Sequence, residues 1–320
     1  MATASFSNPL VEQRELLNGT AAVALDKSLI TVAGVDRLTW LHALLSQNLR
    51  GLKSGESAEA LLLNPQGHIE AIAHVVDDGS VTSLLVDRSV AQVLFDHLNK
   101  MKLRTKVELT LANELQVFGT FGKPVSGAKL VWHDPWPNVY PGGHRYANAS
   151  GETWDYFESV VSQCDLEPAG TEALTALRIA AHRPGMEEVD DKTLPHELDL
   201  LTTAVHLSKG CYRGQEAVAK VHNLGHPPRR LVLLHLDGSA HILPKPGTPV
   251  SHGDQEVGRV TSVATHYEAG AIALAVVKRN LDLSAPLEID GVSAAQQEIV
   301  PQDAGKTVTI DRKSLMGGRK

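Results

Sequence analysis

The chain has 320 residues, 42% apolar and 21% charged, with a formal net charge of −7 and an isoelectric point near 6.1. That length exceeds what one core usually holds, so several lobes are expected. The longest purely apolar stretch, Ala271–Val277, is far too short to span a membrane as a helix, and the acidic balance offers no bulk attraction to nucleic acid. Met1–Asn18 lacks the basic and apolar regions of a secretory signal, so the expected location is cytoplasmic, with neither membrane nor nucleic acid as a direct partner. Two cysteines, Cys164 and Cys211, exclude a disulfide framework. They also fall short of the four thiolates an iron–sulfur cluster usually takes, so no permanently bound cluster is expected.

The first clear element is a predicted helix over Arg37–Leu49, with Leu38, Leu41, Leu45 and Leu49 on one face, Asp36 as cap and Gly51 as stop. A hairpin follows. Apolar Ala60–Leu63 leads into the turn Asn64-Pro65-Gln66-Gly67, and Ile69, Ala71, Ala73 and Val75 alternate beyond it. Val81–Val86 reads as a strand. Asp87 then opens a helix carrying Val90, Val93, Leu94 and Leu98, and Val107–Ala112 returns to strand.

Trp132–Gly143 concentrates Trp132, Trp136, Tyr140 and three prolines, which forbids regular structure and suggests an ordered loop that covers a neighbouring lobe or walls a pocket. Thr171–Ala181 reads as a short helix with Leu174, Leu177 and Ala181 inward. From Arg230 the pattern changes to short β runs, Leu231–Leu236, Val257–Thr265, Ala271–Val277 and Leu287–Ile289, separated by turns. A small antiparallel β-barrel removes the exposed edges of such strands. The expected organisation is an α+β lobe over 1–114, a second over 115–228, a barrel over 229–310 and a basic tail over 311–320 with Arg312, Lys313, Arg319 and Lys320.

One segment stands apart: Lys209-Gly210-Cys211-Tyr212-Arg213-Gly214-Gln215-Glu216. Two glycines allow close approach to the thiol, and cations at Lys209 and Arg213 favour the thiolate, which can bind metal or sulfur, form a mixed disulfide or be oxidised reversibly. The alternative is a buried cysteine acting as a small hydrophobe. Cys164, beside Asp165, is expected to be an ordinary, partly buried thiol. His222 and His226 are four apart and would meet on a helix as metal ligands with Cys211, but Gly225, Pro227 and Pro228 argue against a helix there, and no metal site is assigned.

KGCYRGQE resembles the K-G-C-Y-x-G-Q-E signature of the YgfZ-type folate-binding proteins, relatives of the glycine-cleavage T-protein. VAGVDRLTWLHALLSQNL from Val32, ALLLNPQGHIEAIAHV from Ala60, LPHELDLL from Leu194, VAKVHNLGHPPRRLV from Val218 and VGRVTS from Val257 resemble further family segments, so the likeness covers most of the chain. It implies an α+β, three-lobed, ring-like fold with two mixed lobes and a C-terminal antiparallel barrel, and tetrahydrofolate or a one-carbon derivative in or near the central opening. A reduced folate needs polar groups for its pterin edge, an apolar wall for its ring and a cation for its tail. The candidates are Lys209, Tyr212, Gln215, Glu216, Glu197, Arg229 and Arg230. Each has a plainer reading: the arginines solvated, Glu197 capping the turn after Pro195, Gln215 and Glu216 satisfying backbone donors.

The resemblance also carries departures. T-proteins place paired aspartates after a G-G-x-x sequence, and counting from Gly67 those positions are Ala71 and Ile72, neither able to handle a proton or stabilise a cation. Glu70 is a poor substitute on a strand, since a shift of one residue changes face. The T-protein's pterin-contacting glutamate falls at Ala180, and tryptophans that YgfZ proteins place near folate fall at Lys27 and Ala176, with Trp40 and Trp132 as possible replacements. The resemblance therefore implies an accessory protein that binds tetrahydrofolate and serves iron–sulfur clients, including tRNA-modifying radical enzymes, with Cys211 as functional thiol. The alternative it carries is a folate-dependent aminomethyltransferase or demethylase.

Overall fold

The computed structural model describes residues 3–136, 146–148, 150–240 and 242–305. Tyr140 and Pro141 of the aromatic and proline-rich stretch, and the whole basic tail, lie outside the described residues.

Five α-helices are described: α1 (Pro9–Leu17), α2 (Arg37–Leu44), α3 (Arg88–Met101), α4 (Thr171–Ala180) and α5 (Gln215–Leu224). The strands form two five-stranded sheets, a closed barrel and a two-stranded ribbon. In the first sheet the hairpin Ser57–Leu63 and Ile69–Asp77 continues into Val81–Asp87, Lys27–Ala33 and Glu108–Ala112, all antiparallel. α3 packs Ala91, Leu94 and Leu98 onto this sheet, while Val93, expected on the same face, is exposed.

The second sheet runs Glu167–Ala169, Ala21–Leu25, Gln116–Phe121, Tyr156–Val161 and Leu130–His133. Ala21–Leu25 is parallel to Glu167–Ala169 and antiparallel to Gln116–Phe121. Ala21–Leu25 thus belongs to the second sheet, with α1 packed in the same core, rather than to the lobe that sequence order assigns it. α1 is fastened there by the buried Glu12 carboxylate, which accepts from the backbone N–H groups of Phe6 at 2.7 Å and Gly170 at 2.7 Å.

The barrel closes as Arg229–Leu236, Gly270–Lys278, Gln255–His266, Pro249–His252, Leu287–Ile289 and Val292–Glu298. Val232, Val260, Ala275 and Val277 are among the side chains that fill it, as strand alternation around a small barrel requires. At Gly258 a Cβ would lie 2.5 Å from the Val276 carbonyl oxygen, so that strand pair tolerates only glycine. A separate core joins all three lobes, bringing Leu61, Leu63 and Ile72 of the hairpin against Ile179 of α4, Val218 of α5 and Leu231 and Leu274 of the barrel.

Two local departures shape the site. α2 ends at Leu44 rather than Leu49, because Leu45 is extended and the Ser46 hydroxyl donates to Ala204 O at 2.5 Å while accepting from Leu61 N at 2.8 Å. The hairpin alternation also breaks. Leu63 pairs with Ile69 but Leu62 pairs with Ala71, which leaves Glu70 as the extra residue of a β-bulge. Ile69 consequently faces the core between the lobes, whereas Ala71, Ala73 and Val75 face the core under α2 and α3.

Candidate functional site

Between the two sheets, α4 and the turn at Pro184–Glu187 lies a cavity of about 260 Å³. Its walls combine Leu25, Ile72, Trp132, Tyr146, Tyr156 and Leu174 with an unusual number of charges: Lys27, Arg178 and Arg183 against Asp26, Glu59, Asp87, Asp134, Glu158 and Glu187.

The charges are organised among themselves. Arg183, 4% exposed, places Nη2 at 2.6 Å from Glu59 and 3.1 Å from Asp134, and its guanidinium lies over the Trp136 ring. Lys27 Nζ sits 3.3 Å from Glu158 and 3.6 Å from Asp87. His74 Nδ1 is 2.8 Å from Glu158, and the imidazole stacks on the Trp132 indole at 3.7 Å with planes 6° apart. Burial alone would raise the Glu158 carboxyl, but His74 and Lys27 outweigh it and hold the group down at about 2. For Asp134 burial wins over Arg183, and its carboxyl is displaced upward, with Glu59 adding to the displacement. Two nearby carboxyls thus sit on opposite sides of the ordinary range.

The barrel supports this wall from behind. Glu188, fully buried, accepts from Thr261 at 2.9 Å and Ser262 at 2.6 Å on the barrel and from Arg178 at 2.8 Å on α4. Arg178 is thereby held at the cavity edge by a contact that crosses lobes.

Ile72 lines the cavity, 5% exposed, while Ala71 points into the other core. Glu70 is carried by the bulge to the outside, where it pairs with Arg213 at 2.7 Å. Of the tryptophan alternatives, Trp132 lines the cavity and donates to Ala58 O at 2.9 Å. Trp40 is buried elsewhere, donating to Met101 O. Lys27 faces the cavity, Ala176 is in the core between the lobes, and Ala180 packs beside that core.

None of Lys209, Cys211, Tyr212, Gln215, Glu216, Glu197, Arg229 and Arg230 is part of this wall. Lys209 is 8% exposed, and its ammonium donates to the carbonyl oxygens of His42, Leu45 and Gln47 at the end of α2. Burial and Arg50 push that ammonium down to about 8, which still leaves it charged at neutral pH, where carbonyls of a helix end favour it. Tyr212 is buried, with the Lys209 ammonium 4.8 Å from its ring centre. Gln215 donates to Lys209 O at 3.0 Å, and Glu216 is exposed in the first turn of α5.

Glu197 is fully buried and accepts from Arg229 at 2.7 Å, and Arg229 also reaches Asp190 at 2.6 Å. Arg230, fully buried in the barrel, donates to Leu281 O and Gln296 at 3.0 Å each. These three hold lobes and strands together. His222 lies in α5 but His226 lies beyond its end, and no group of three or more metal-ligating side chains is present among the described residues.

The KGCYRGQE segment forms a second, separate locality. Gly214 (φ +81°) turns the chain into α5, and a Cβ there would lie 2.5 Å from Asn64 O in the hairpin turn. Cys211 is exposed and Cys164 half-buried. Cys211 borders a shallow depression with His97, Lys100, Met101, Tyr212 and Arg213.

Sequence reasoning names Lys27, Ile72 and Trp132 through the resemblance but misses Glu59, His74, Asp134, Glu158 and Arg183, because they come from distant segments. Lys27, Glu59, His74 and Glu158 are ionisable residues within strands that otherwise supply buried side chains, and a buried charge in such a strand is the one local signal that marks them.

Comparison with known proteins agrees with this architecture. Residues 229–310 match the glycine cleavage T-protein C-terminal barrel domain. A crystal structure of the glycine cleavage system aminomethyltransferase T from Bartonella henselae superposes with a TM-score of 0.71 at 17% identity, covering 92% of this chain and 89% of that one. The fold is therefore that of the T-protein.

Among relatives, an aminomethyltransferase of Rippkaea orientalis is 30% identical over 80% of this chain and 78% of its own length. An iron–sulfur cluster assembly factor IBA57 homolog of Chaetomium globosum is 26% identical over 76% and 63%, and a tRNA-modifying protein YgfZ of Aliivibrio fischeri is 21% identical over 84% and 88%. The chain belongs to the YgfZ and T-protein family. It spans less than two thirds of some curated relatives, including 63% of the Chaetomium factor and 62% of a putative chloroplastic transferase of Arabidopsis thaliana.

Proposed function

We propose that this protein binds a reduced folate in the cavity between the two sheets and supports iron–sulfur enzymes through Cys211, without transferring a one-carbon unit itself. The observation that carries the reading is Ile72. At the hairpin position where T-proteins are expected to hold an acid, the cavity wall presents hydrocarbon, and neighbouring Ala71 faces away. Two carboxylates of the wall, Glu59 and Glu158, are each tied to a cation, Arg183 and Lys27, and so are held in the wall as ion-pair partners.

The remaining surface suits a reduced pterin. Ile72, Leu174 and the Trp132 ring provide apolar walls, and carboxylate oxygens can accept from amino groups of a bicyclic head. On this reading the head occupies the cavity and a charged tail extends outward past Lys27 or Arg178. The names of the relatives point to two activities, iron–sulfur assembly with tRNA modification, and aminomethyl transfer. The missing acid favours the first.

The test pairs a deletion strain with a product assay. Loss of the gene should lower iron–sulfur enzyme activity and thiolated-nucleoside levels under oxidative stress, the wild-type gene should restore both, and Cys211→Ser should not. The purified protein should form no methylenetetrahydrofolate from an aminomethylated carrier. Turnover at a T-protein's rate, or full rescue by Cys211→Ser, would refute the reading.

A further inference from the structure

The corner where α2 begins and α3 ends differs from the rest of this acidic chain. Lys100-Met101-Lys102-Leu103-Arg104-Thr105-Lys106 holds four cations and no carboxylate, in a protein of net charge −7. Leu103 and Val35 are 85% and 80% exposed, the two most exposed large apolar side chains among the described residues. Leu103 also has φ +38°, a left-handed conformation unfavourable for a branched side chain, so backbone strain accompanies an apolar group left in water.

The pieces are contiguous. Trp40 of α2 donates to Met101 O at 3.2 Å, and the Asp36 carboxylate accepts from Lys106 N at 2.8 Å, which fastens the run against α2. Lys100 and Met101 border the same depression as Cys211, and Leu103 and Arg104 border the next one along with Asp36. Four cations, Lys100, Lys102, Arg104 and Lys106, stand against Asp36, Asp96 and Glu108 nearby, while Glu70 is paired with Arg213 at 2.7 Å, so cations outnumber the unpaired carboxylates at this corner.

We propose that this corner is the docking surface for an acidic protein whose interface has an apolar centre, seated beside the Cys211 thiol. Exposed aliphatic side chains interleaved with cations suit a protein interface, which combines an apolar middle with a polar rim. A nucleic acid would be better served by exposed aromatic rings, and this patch offers aliphatic Leu103, Val35 and Met101 instead. The inference rests on the proposed function only in expecting the partner to meet the thiol, because docking itself needs no folate.

Fluorescence anisotropy on the full chain tests it with three probes: a short amphipathic peptide of glutamate and leucine, a polyglutamate peptide of equal length, and a single-stranded RNA of similar charge. The amphipathic peptide should bind best. Reversing Lys100, Lys102 and Arg104 to Glu should weaken it about tenfold or more, with loss also in high salt. Leu103→Gly relieves the left-handed strain, so it should keep the fold while weakening the peptide about fivefold.

Folate titration of the same variants should be unchanged, so failure of folate binding in every form would count against the cavity reading alone. The docking proposal is overturned if the RNA binds more tightly than the amphipathic peptide, if no peptide binds, or if the charge reversal leaves peptide affinity unaltered.

Discussion

The cavity between the two sheets and the Cys211 corner lie in one chain but use charge in opposite ways. In the cavity, cations and carboxylates are buried and paired, as Arg183 is with Glu59 and Asp134. At the corner, Lys100 and Arg104 are exposed, and the thiol is exposed with them. Paired burial fixes a shape, since removing one partner strands the other in a low-dielectric wall. Unpaired surface charge contributes little to the fold and is available to a partner. Disruption should therefore be costly in the first region and nearly silent in the second.

The sharpest contrast should come from Arg183→Met. It leaves Glu59 and Asp134 buried without their cation, and a loss of about 3–5 kcal/mol in denaturant unfolding is expected. Lys209→Met should follow, at about 2 kcal/mol, because carbonyls at the end of α2 lose a charged donor. This second case separates two parts of the signature, since Lys209 is structural although it lies two residues from the thiol.

The pH dependence sharpens the same contrast. His196 is buried, both ring nitrogens lack a partner, and burial together with His222 pushes it from 6.5 down to about 4. The unfolded chain then binds the extra proton first, so stability falls as pH drops from 6.5 through 4. Glu158 adds a lower window: its stabilisation is complete above 4.5 and is lost as pH falls toward 2. His196→Leu should flatten the upper part of the acid slope by on the order of 2 kcal/mol, measured by unfolding across pH. An unchanged slope would remove His196 from the account. At the corner, Cys211→Ser should shift stability by less than about 0.5 kcal/mol, as a surface substitution does.

How far these regions were legible in the sequence follows from how local their signals are. The barrel was readable because its strands are consecutive and separated by turns, and the hairpin because Asn64-Pro65-Gln66-Gly67 closes it locally. The end of α2 was not, because Ser46 bonds to Ala204, far along the chain. The bulge at Glu70 was equally hidden, since register depends on the partner strand. The placement of Ala21–Leu25 in the second sheet required long-range pairing with Gln116–Phe121.

The signature drew attention to residues that are close in sequence, and several of these brace the fold. The cavity is assembled from Lys27, Glu59, His74, Trp132, Glu158 and Arg183, which no local window contains. Resemblance named Ala71 and Ile72 as the acid positions and Trp40 or Trp132 as substitutes; of these only Ile72 and Trp132 line the cavity, and only the packed chain sets Trp132 face to face with His74.

The proposed separation of folate cavity from thiol can be tested by titrating tetrahydrofolate calorimetrically into the wild type, Cys211→Ser and Thr175→Trp. Thr175 lines the cavity and is only partly buried, so an indole there would fill the space while the fold is retained. Wild type and Cys211→Ser should bind with equal affinity, and Thr175→Trp should bind at least about tenfold more weakly. Loss of binding in Cys211→Ser with full binding in Thr175→Trp would place the folate at the thiol and contradict the account.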